Sequence, residues 1–216
     1  MKKHLIEVAL LFLAFYLPGY FASSLLPEDL TPYMLRYLWV AVPQFFLILY
    51  ILWVQGDPPL VQFGLARITG IDILLSLGLL VLLLTLFLSV GFLINLLPES
   101  LRDSLGRGYR WKSSSPAHLP LVLLFCLATG YREELFFRAY LLTRLPSMGM
   151  GVPLSVGLST SLFALGHHYE GPEGITLALV QGILFSFIFI RRRNLHILSL
   201  THGLYNFTLL LASAAG

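Results

Sequence analysis

Charge is scarce in this chain: 14 Lys and Arg and 11 Asp and Glu, together 12% of 216 residues, against 57% hydrophobic residues. That leaves too little polar surface to cover a soluble globule, and the mean hydropathy is +0.81. The sequence therefore reads as an all-α integral membrane protein, a single transmembrane domain over residues 1–216. The net charge of +3 is small, and no basic face is spread along the chain as a nucleic-acid partner would require. Cysteine is nearly absent. Cys126 stands alone inside an apolar run, which excludes an internal disulfide and reads as a buried structural thiol. Neither Gly-x-Ser-x-Gly nor His-Glu-x-x-His occurs, so the serine-hydrolase and zincin patterns are missing. The sequence also shows no internal repeat and no low-complexity linker.

What the sequence does have is long apolar runs. Their lengths predict about seven transmembrane helices, over residues 5–26, 33–54, 71–97, 119–145, 152–168, 175–190 and 195–211. Pro43 is tolerable as a kink where neighbouring groups satisfy the freed carbonyl. Gly56-Asp57-Pro58-Pro59 breaks one loop. Residues 98–120, with Arg102, Arg107, Arg110, Trp111 and Lys112, suit a segment lying at the headgroups. With the N-terminus cytoplasmic, Lys2, Lys3, Arg67, Arg144 and Arg191 to Arg193 all fall inside. The basic loop around Arg107 falls outside, against the usual charge bias.

One stretch breaks the apolar pattern. Arg132, Glu133, Glu134 and Arg138 lie within the run at 119–145, where each charge costs at least a few kcal/mol and needs a partner. A rise of about 1.5 Å per residue, counted from a common cytoplasmic face, places Glu133 at roughly 18 Å, His167 at roughly 22 Å, His202 at roughly 10 Å and Asn206 at roughly 16 Å. Three helices thus deliver two carboxylates, two imidazoles and an amide to one layer. Glu134 and Arg138 pair at i, i+4, and Glu133 projects about 100° away. Alone, Glu134 with Arg138 reads as a structural ion pair. His4, His118 and His196 read as headgroup-level residues at span ends and His168 as interfacial. Phe136, Phe137, Tyr140 and Tyr205 read as packing. The convergence at one depth is what points to a functional site.

A carboxylate beside an imidazole in a dry cavity can deprotonate a water, and a second His with an Asn can donate to the oxyanion formed when that water attacks an amide. Two other classes fit buried Glu and His: a proton-coupled transporter, disfavoured by the lack of an inverted repeat, and a non-catalytic immunity or scaffold protein.

Glu133-Glu134-x-x-x-Arg138, Phe163-x-x-x-His167 and His202-x-x-x-Asn206, in this order on successive helices over residues 119–211, resemble the CPBP family of intramembrane proteases. That family takes in CAAX prenyl endopeptidases and bacterial relatives linked to bacteriocin processing and self-immunity. The resemblance implies that Glu133 and His167 activate the water, that His202 and Asn206 form the oxyanion site, and that Glu134 and Arg138 brace the cavity. It implies a membrane-anchored peptide or protein substrate within the lipid bilayer. The expected setting is a bacterial plasma membrane. No cofactor is expected, with zinc on Glu133, His167 and His202 as the alternative. Ala139 stands where the family usually has Gly, and prenyl-protease members often have eight spans rather than seven.

Overall fold

The computed structural model describes residues 2–17, 30–54, 61, 63–104 and 118–215. The Gly56-Asp57-Pro58-Pro59 breaker and the basic residues Arg107, Arg110 and Lys112 lie outside the described residues. The elements run α1 (Lys2–Phe15), α2 (Leu30–Val54), α3 (Gly70–Asn95), a short α4 (Glu99–Ser104) and α5 (Leu119–Glu134). There follow a π-helical segment (Leu135–Tyr140), α6 (Leu141–Ser147), α7 (Val152–Leu165), a 3-10 turn (His168–Glu170), α8 (Gly171–Arg192) and α9 (Leu195–Ala215). No strand occurs among the described residues.

Among the described residues, four helical stretches are long and apolar enough to cross a membrane: Thr31–Val54, Gly70–Asn95, His168–Arg192 and Leu195–Ala212. The expected count of seven is not reached on that measure, for two physical reasons. The charged run is helical from Leu119 to Ser147, through its π segment, but it carries Arg132, Glu133, Glu134, Arg138 and Arg144, too much charge for a plain apolar span. Helices α1 and α7 have 14 residues each, a rise of about 21 Å against a hydrocarbon core of about 30 Å.

Helix α3 is apolar almost all round, so periodicity alone gives it no inner face. The inner face is set by Asp72, Ser76, Leu79, Leu83 and Phe87, which are buried at helical spacing, on the side where α3 packs against α9. Ser76 donates to the Asp72 and Ile197 carbonyls, and Thr201 donates back to the Ser76 carbonyl. The other side is left to lipid, with Leu74, Val81, Leu88 and Phe92 exposed. Trp39, Phe46 and Trp53 do the same on α2. In a bilayer such exposure carries no hydrophobic penalty.

The central contact is between α5 and α9, and glycine makes it close. A methyl group at Gly130 would lie 2.6 Å from the Ser199 carbonyl oxygen and 2.8 Å from the Gly203 nitrogen; one at Gly203 would lie 2.9 Å from the Leu127 Cα. Both obstructions include backbone, which cannot swing aside. The two helices therefore cross at small residues, the packing that membranes favour. Glu133 stands three residues after Gly130 and His202 one before Gly203, so the crossing fixes their separation.

A polar knot holds one end of the bundle. Thr69 and Asp72 form a reciprocal capping box at the start of α3, and Asn194 donates to Asp72 Oδ1 at 2.6 Å. Gly64, with φ +73°, brings its carbonyl to the Leu195 amide at 2.8 Å, where a side chain would strike Arg193 and Leu195. His196, expected at the headgroups, donates from Nε2 to the Ala66 carbonyl at 2.7 Å. Its Nδ1 therefore accepts from Tyr131 Oη at 2.9 Å. Arg193 reaches Thr143 at 3.1 Å. Arg144, counted from sequence among the cytoplasmic loop charges, is buried, with its Nε 3.8 Å from Glu7 Oε1. Glu7 also accepts from Tyr140 at 2.5 Å and lies 3.6 Å from His4. These contacts gather the start of α1, the end of α6 and the α8–α9 junction at the same end.

Gly130→Ala is expected to lower folded-state stability by about 1–3 kcal/mol through overpacking. Gly78→Ala, where nothing lies within 4 Å, is expected to cause no loss. Thermal unfolding of both variants in the same detergent makes the comparison.

Candidate active site

The π segment is where the site begins. Widening the helix to a π turn disturbs the regular pairing of backbone carbonyls, and in an apolar environment disturbed carbonyls need other donors. Two side chains supply them. Tyr16 donates to the Arg132 carbonyl at 2.9 Å, at the α-to-π junction. Ser159, on α7, donates to the Phe137 carbonyl at 2.5 Å. Read from sequence, Ser159 is only a small residue that lets helices approach; here its hydroxyl serves the neighbouring backbone.

The four charges of the motif divide between two sides. Arg132 turns toward α1 and α2. Its Nε donates to Gln44 Oε1 at 2.7 Å and one terminal nitrogen to Tyr37 Oη at 3.2 Å, while the other reaches the Phe15 carbonyl. Its guanidinium lies 4.5 Å from the Tyr16 ring centroid. None of these partners is in the sequence motifs. An amide at Gln44 within an apolar run was the available signal, since a buried Arg needs acceptors.

Glu133, Glu134 and Arg138 turn toward α9. Glu134 and Arg138 are both 0% exposed, with Arg138 Nε 3.2 Å from Glu134 Oε2. The other carboxylate oxygen, Oε1, accepts from His202 Nδ1 at 2.8 Å. A carboxylate only accepts, so Nδ1 carries the proton. Glu133 Oε2 faces the opposite ring nitrogen, Nε2, at 3.8 Å. The expectation that Glu133 addresses a different group from Glu134 is thus corrected: the two carboxylates meet one imidazole, at its two nitrogens. The helical-rise reckoning had separated Glu133 from His202 by about 8 Å. The wider π turns below Glu133 advance less per residue, which removes part of that gap.

Arg138 is wrapped in aromatic faces. Its guanidinium carbon lies 4.1 Å from the Phe163 centroid, 5.9 Å from Phe185 and 6.0 Å from Phe137. Such contacts are strongest where water is excluded. Phe163 is also the link to the second motif. Its ring centroid lies 4.6 Å from that of His167 and 5.9 Å from that of His202.

His167 is not on a span, as expected, but beyond the end of α7, two residues past Leu165. Its Nδ1 is 2.9 Å from the Phe163 carbonyl. Because a carbonyl only accepts, the proton is on Nδ1 and Nε2 is left as the acceptor. Tyr169 stacks near it, ring centroids 6.4 Å apart. Asn206 follows His202 by four residues on α9, half-buried, about 6 Å further along the axis on the same face.

The structure therefore brings Glu133, Glu134, Arg138 and His202 into one directly contacting group. His167 joins through Phe163, and Asn206 stands one turn beyond His202. Cys126 is fully buried, and Tyr205 packs edge-on against Phe87. Among the described residues no three His, Cys, Asp or Glu side chains group closely enough to hold a metal ion. In this arrangement Glu133, His167 and His202 do not fit a three-ligand zinc site.

Residues 115–208 match the family model described as type II CAAX prenyl endopeptidase Rce1-like. No curated protein and no solved structure matches the chain. The matched segment opens just before α5 and closes just past Asn206, enclosing all three motifs and leaving α1, α2 and α3 outside. Over residues 115–208, then, the chain is similar to Rce1-like domains of the CAAX protease type, and that segment is set among apolar helices of an integral membrane protein.

Proposed function

We propose that the chain is an intramembrane endopeptidase that hydrolyses a peptide bond in a membrane-anchored peptide or protein, without a covalent intermediate. The observation that carries this reading is His202 held between two carboxylates, 2.8 Å from Glu134 and 3.8 Å from Glu133. Glu134 is fully buried, paired with Arg138 and engaged by His202 Nδ1, so it orients the ring. Glu133 Oε2 has no hydrogen-bond partner and is the carboxylate free to act on a water.

In the proposed reaction Glu133 takes a proton from the water as its oxygen attacks the substrate carbonyl carbon. His167 Nε2, aimed by the Nδ1 bond to Phe163, accepts the water's other hydrogen and so orients it. The carbonyl oxygen becomes an oxyanion, and two groups donate to it: Asn206 from its amide, and His202 from Nε2 as an imidazolium that keeps its Nδ1 proton on Glu134. The C–N bond then breaks. The proton held by Glu133 passes to the leaving amine, giving a new amine and a new carboxylic acid, which ionises by losing the water's other proton to solvent on release. His202 is thereby an oxyanion donor whose orientation depends on Glu134. No step is assigned to a metal.

The gathering of the α1 start, Arg144 and Arg193 at one end supports placing that end in the cytoplasm, where short basic segments collect. The proposed setting is a bacterial inner membrane with the N-terminus inside.

Glu133→Gln is expected to reduce cleavage of a membrane-anchored peptide by roughly 10²–10⁴-fold in kcat. Asn206→Ala is expected to cost roughly 10²–10³-fold with little change in KM. A Glu133→Gln enzyme that cuts as fast as wild type would sink the mechanism. Chelator is expected to leave the rate unchanged, and inhibition reversed by zinc would replace this reading with the metal-dependent one. Glu134→Gln leaves Arg138 as an uncompensated buried charge, so a stability loss of about 3–5 kcal/mol is expected in detergent melts, beyond any effect on turnover.

A further inference from the structure

The matched segment begins at residue 115, yet one of the two side chains that serve carbonyls in and just before the π segment comes from about a hundred residues upstream. Tyr16 follows α1 directly. Its hydroxyl meets the Arg132 carbonyl at 2.9 Å. Its ring stacks on Phe136, with centroids 4.4 Å apart, and meets Phe137 edge-on at 4.9 Å. The Arg132 guanidinium covers the same ring at 4.5 Å and bonds the preceding carbonyl, that of Phe15. One buried residue thus grips the last α-helical turn before Glu133 and the first residues of the π segment together.

This junction decides where the side chains that brace the carboxylates point, since Arg138 and Phe137 follow it and Glu133 and Glu134 precede it. Residues after it would turn by about 100° relative to α5 if the π segment shed its extra residue and closed to α-helical pairing. Arg138 and Phe137 would then leave their places against Glu134 and Phe163. Glu134 would lose the partner that holds it to His202. Ser159 secures the segment from the α7 side, and Tyr16 secures it from the other.

We infer that Tyr16, outside the matched segment, is a positioning residue for the hydrolysis: its hydroxyl fixes the α-to-π junction that keeps Arg138 on Glu134, and so Glu134 in register with His202. The inference rests on the reading of these residues as a protease site.

Tyr16→Phe removes the hydroxyl alone and leaves the ring stack in place. On full-length protein in detergent, with histidine side chains labelled with nitrogen-15 and His202 assigned through His202→Gln, the ring signals of His202 report its contact with Glu134 without any need for activity. Tyr16→Phe is expected to shift those signals while the melting temperature stays close to wild type. Unchanged His202 signals overturn the inference. So does a Tyr16→Phe protein that does not fold, since a positioning role requires the fold to survive loss of one hydroxyl. On a membrane-anchored peptide, kcat is expected to fall about tenfold with KM unchanged, and an unchanged kcat overturns the inference. If both hydroxyls act through the π segment, Tyr16→Phe combined with Ser159→Ala shifts His202 less than the sum of the single changes; simple addition overturns the shared route. A wild-type protein that cleaves no peptide would defeat the protease reading, and the His202 signals would still decide the role of Tyr16.

Discussion

A guanidinium and a carboxylate buried from all solvent, Arg138 and Glu134, set the terms for the rest of this structure. Taking two such charges out of water costs several kcal/mol per ion, and their mutual attraction recovers this only where geometry and further partners are good. Here the pair sits at 3.2 Å, the cation lies against Phe163, and the anion receives the His202 proton. Each of these partners comes from a different helix. The need to compensate one ion pair thereby specifies how α5, the π segment, α7 and α9 meet.

Backbone and small residues make that meeting sterically feasible. The α5–α9 crossing at Gly130 and Gly203 lets His202 approach the carboxylates, since any Cβ there would strike the opposing helix. The π segment supplies the local distortion; Ser159 serves the Phe137 carbonyl within it, and Tyr16 the Arg132 carbonyl just before it. Polar groups unsatisfied in an apolar medium are costly, so such a distortion persists only where donors are built in. What holds the helix out of shape lies beside the charged motif, on the Arg132 and Phe137 carbonyls.

The first helices have more than a lipid-facing role. Arg132 binds Gln44, Tyr37 and the Phe15 carbonyl on one side of the motif. Glu7 binds Tyr140 and pairs with Arg144 on the other. Helix α1 is therefore fastened on both sides of the π segment to the helical run that carries the charged motif, although it lies outside the residues that match the family model.

The sequence by itself determined the membrane class, the helical character and the identity of the polar residues that meet. Charge inside an apolar run is rare enough to be conspicuous, and helical spacing pairs Glu134 with Arg138 from local geometry alone. Tertiary structure decided which group each charge addresses. That both carboxylates share His202 depends on the α5–α9 crossing at Gly130 and Gly203, which no i, i+4 pattern encodes. That Arg132 faces away from the site depends on acceptors on α1 and α2, about 90 to 120 residues earlier in the chain. The expected seven spans are matched by four among the described residues, because a hydropathy reading registers apolarity but not the shortness of a helix or the charge within it. Long-range satisfaction of buried polar groups is a property of the packed helices, and it appears only once they are together.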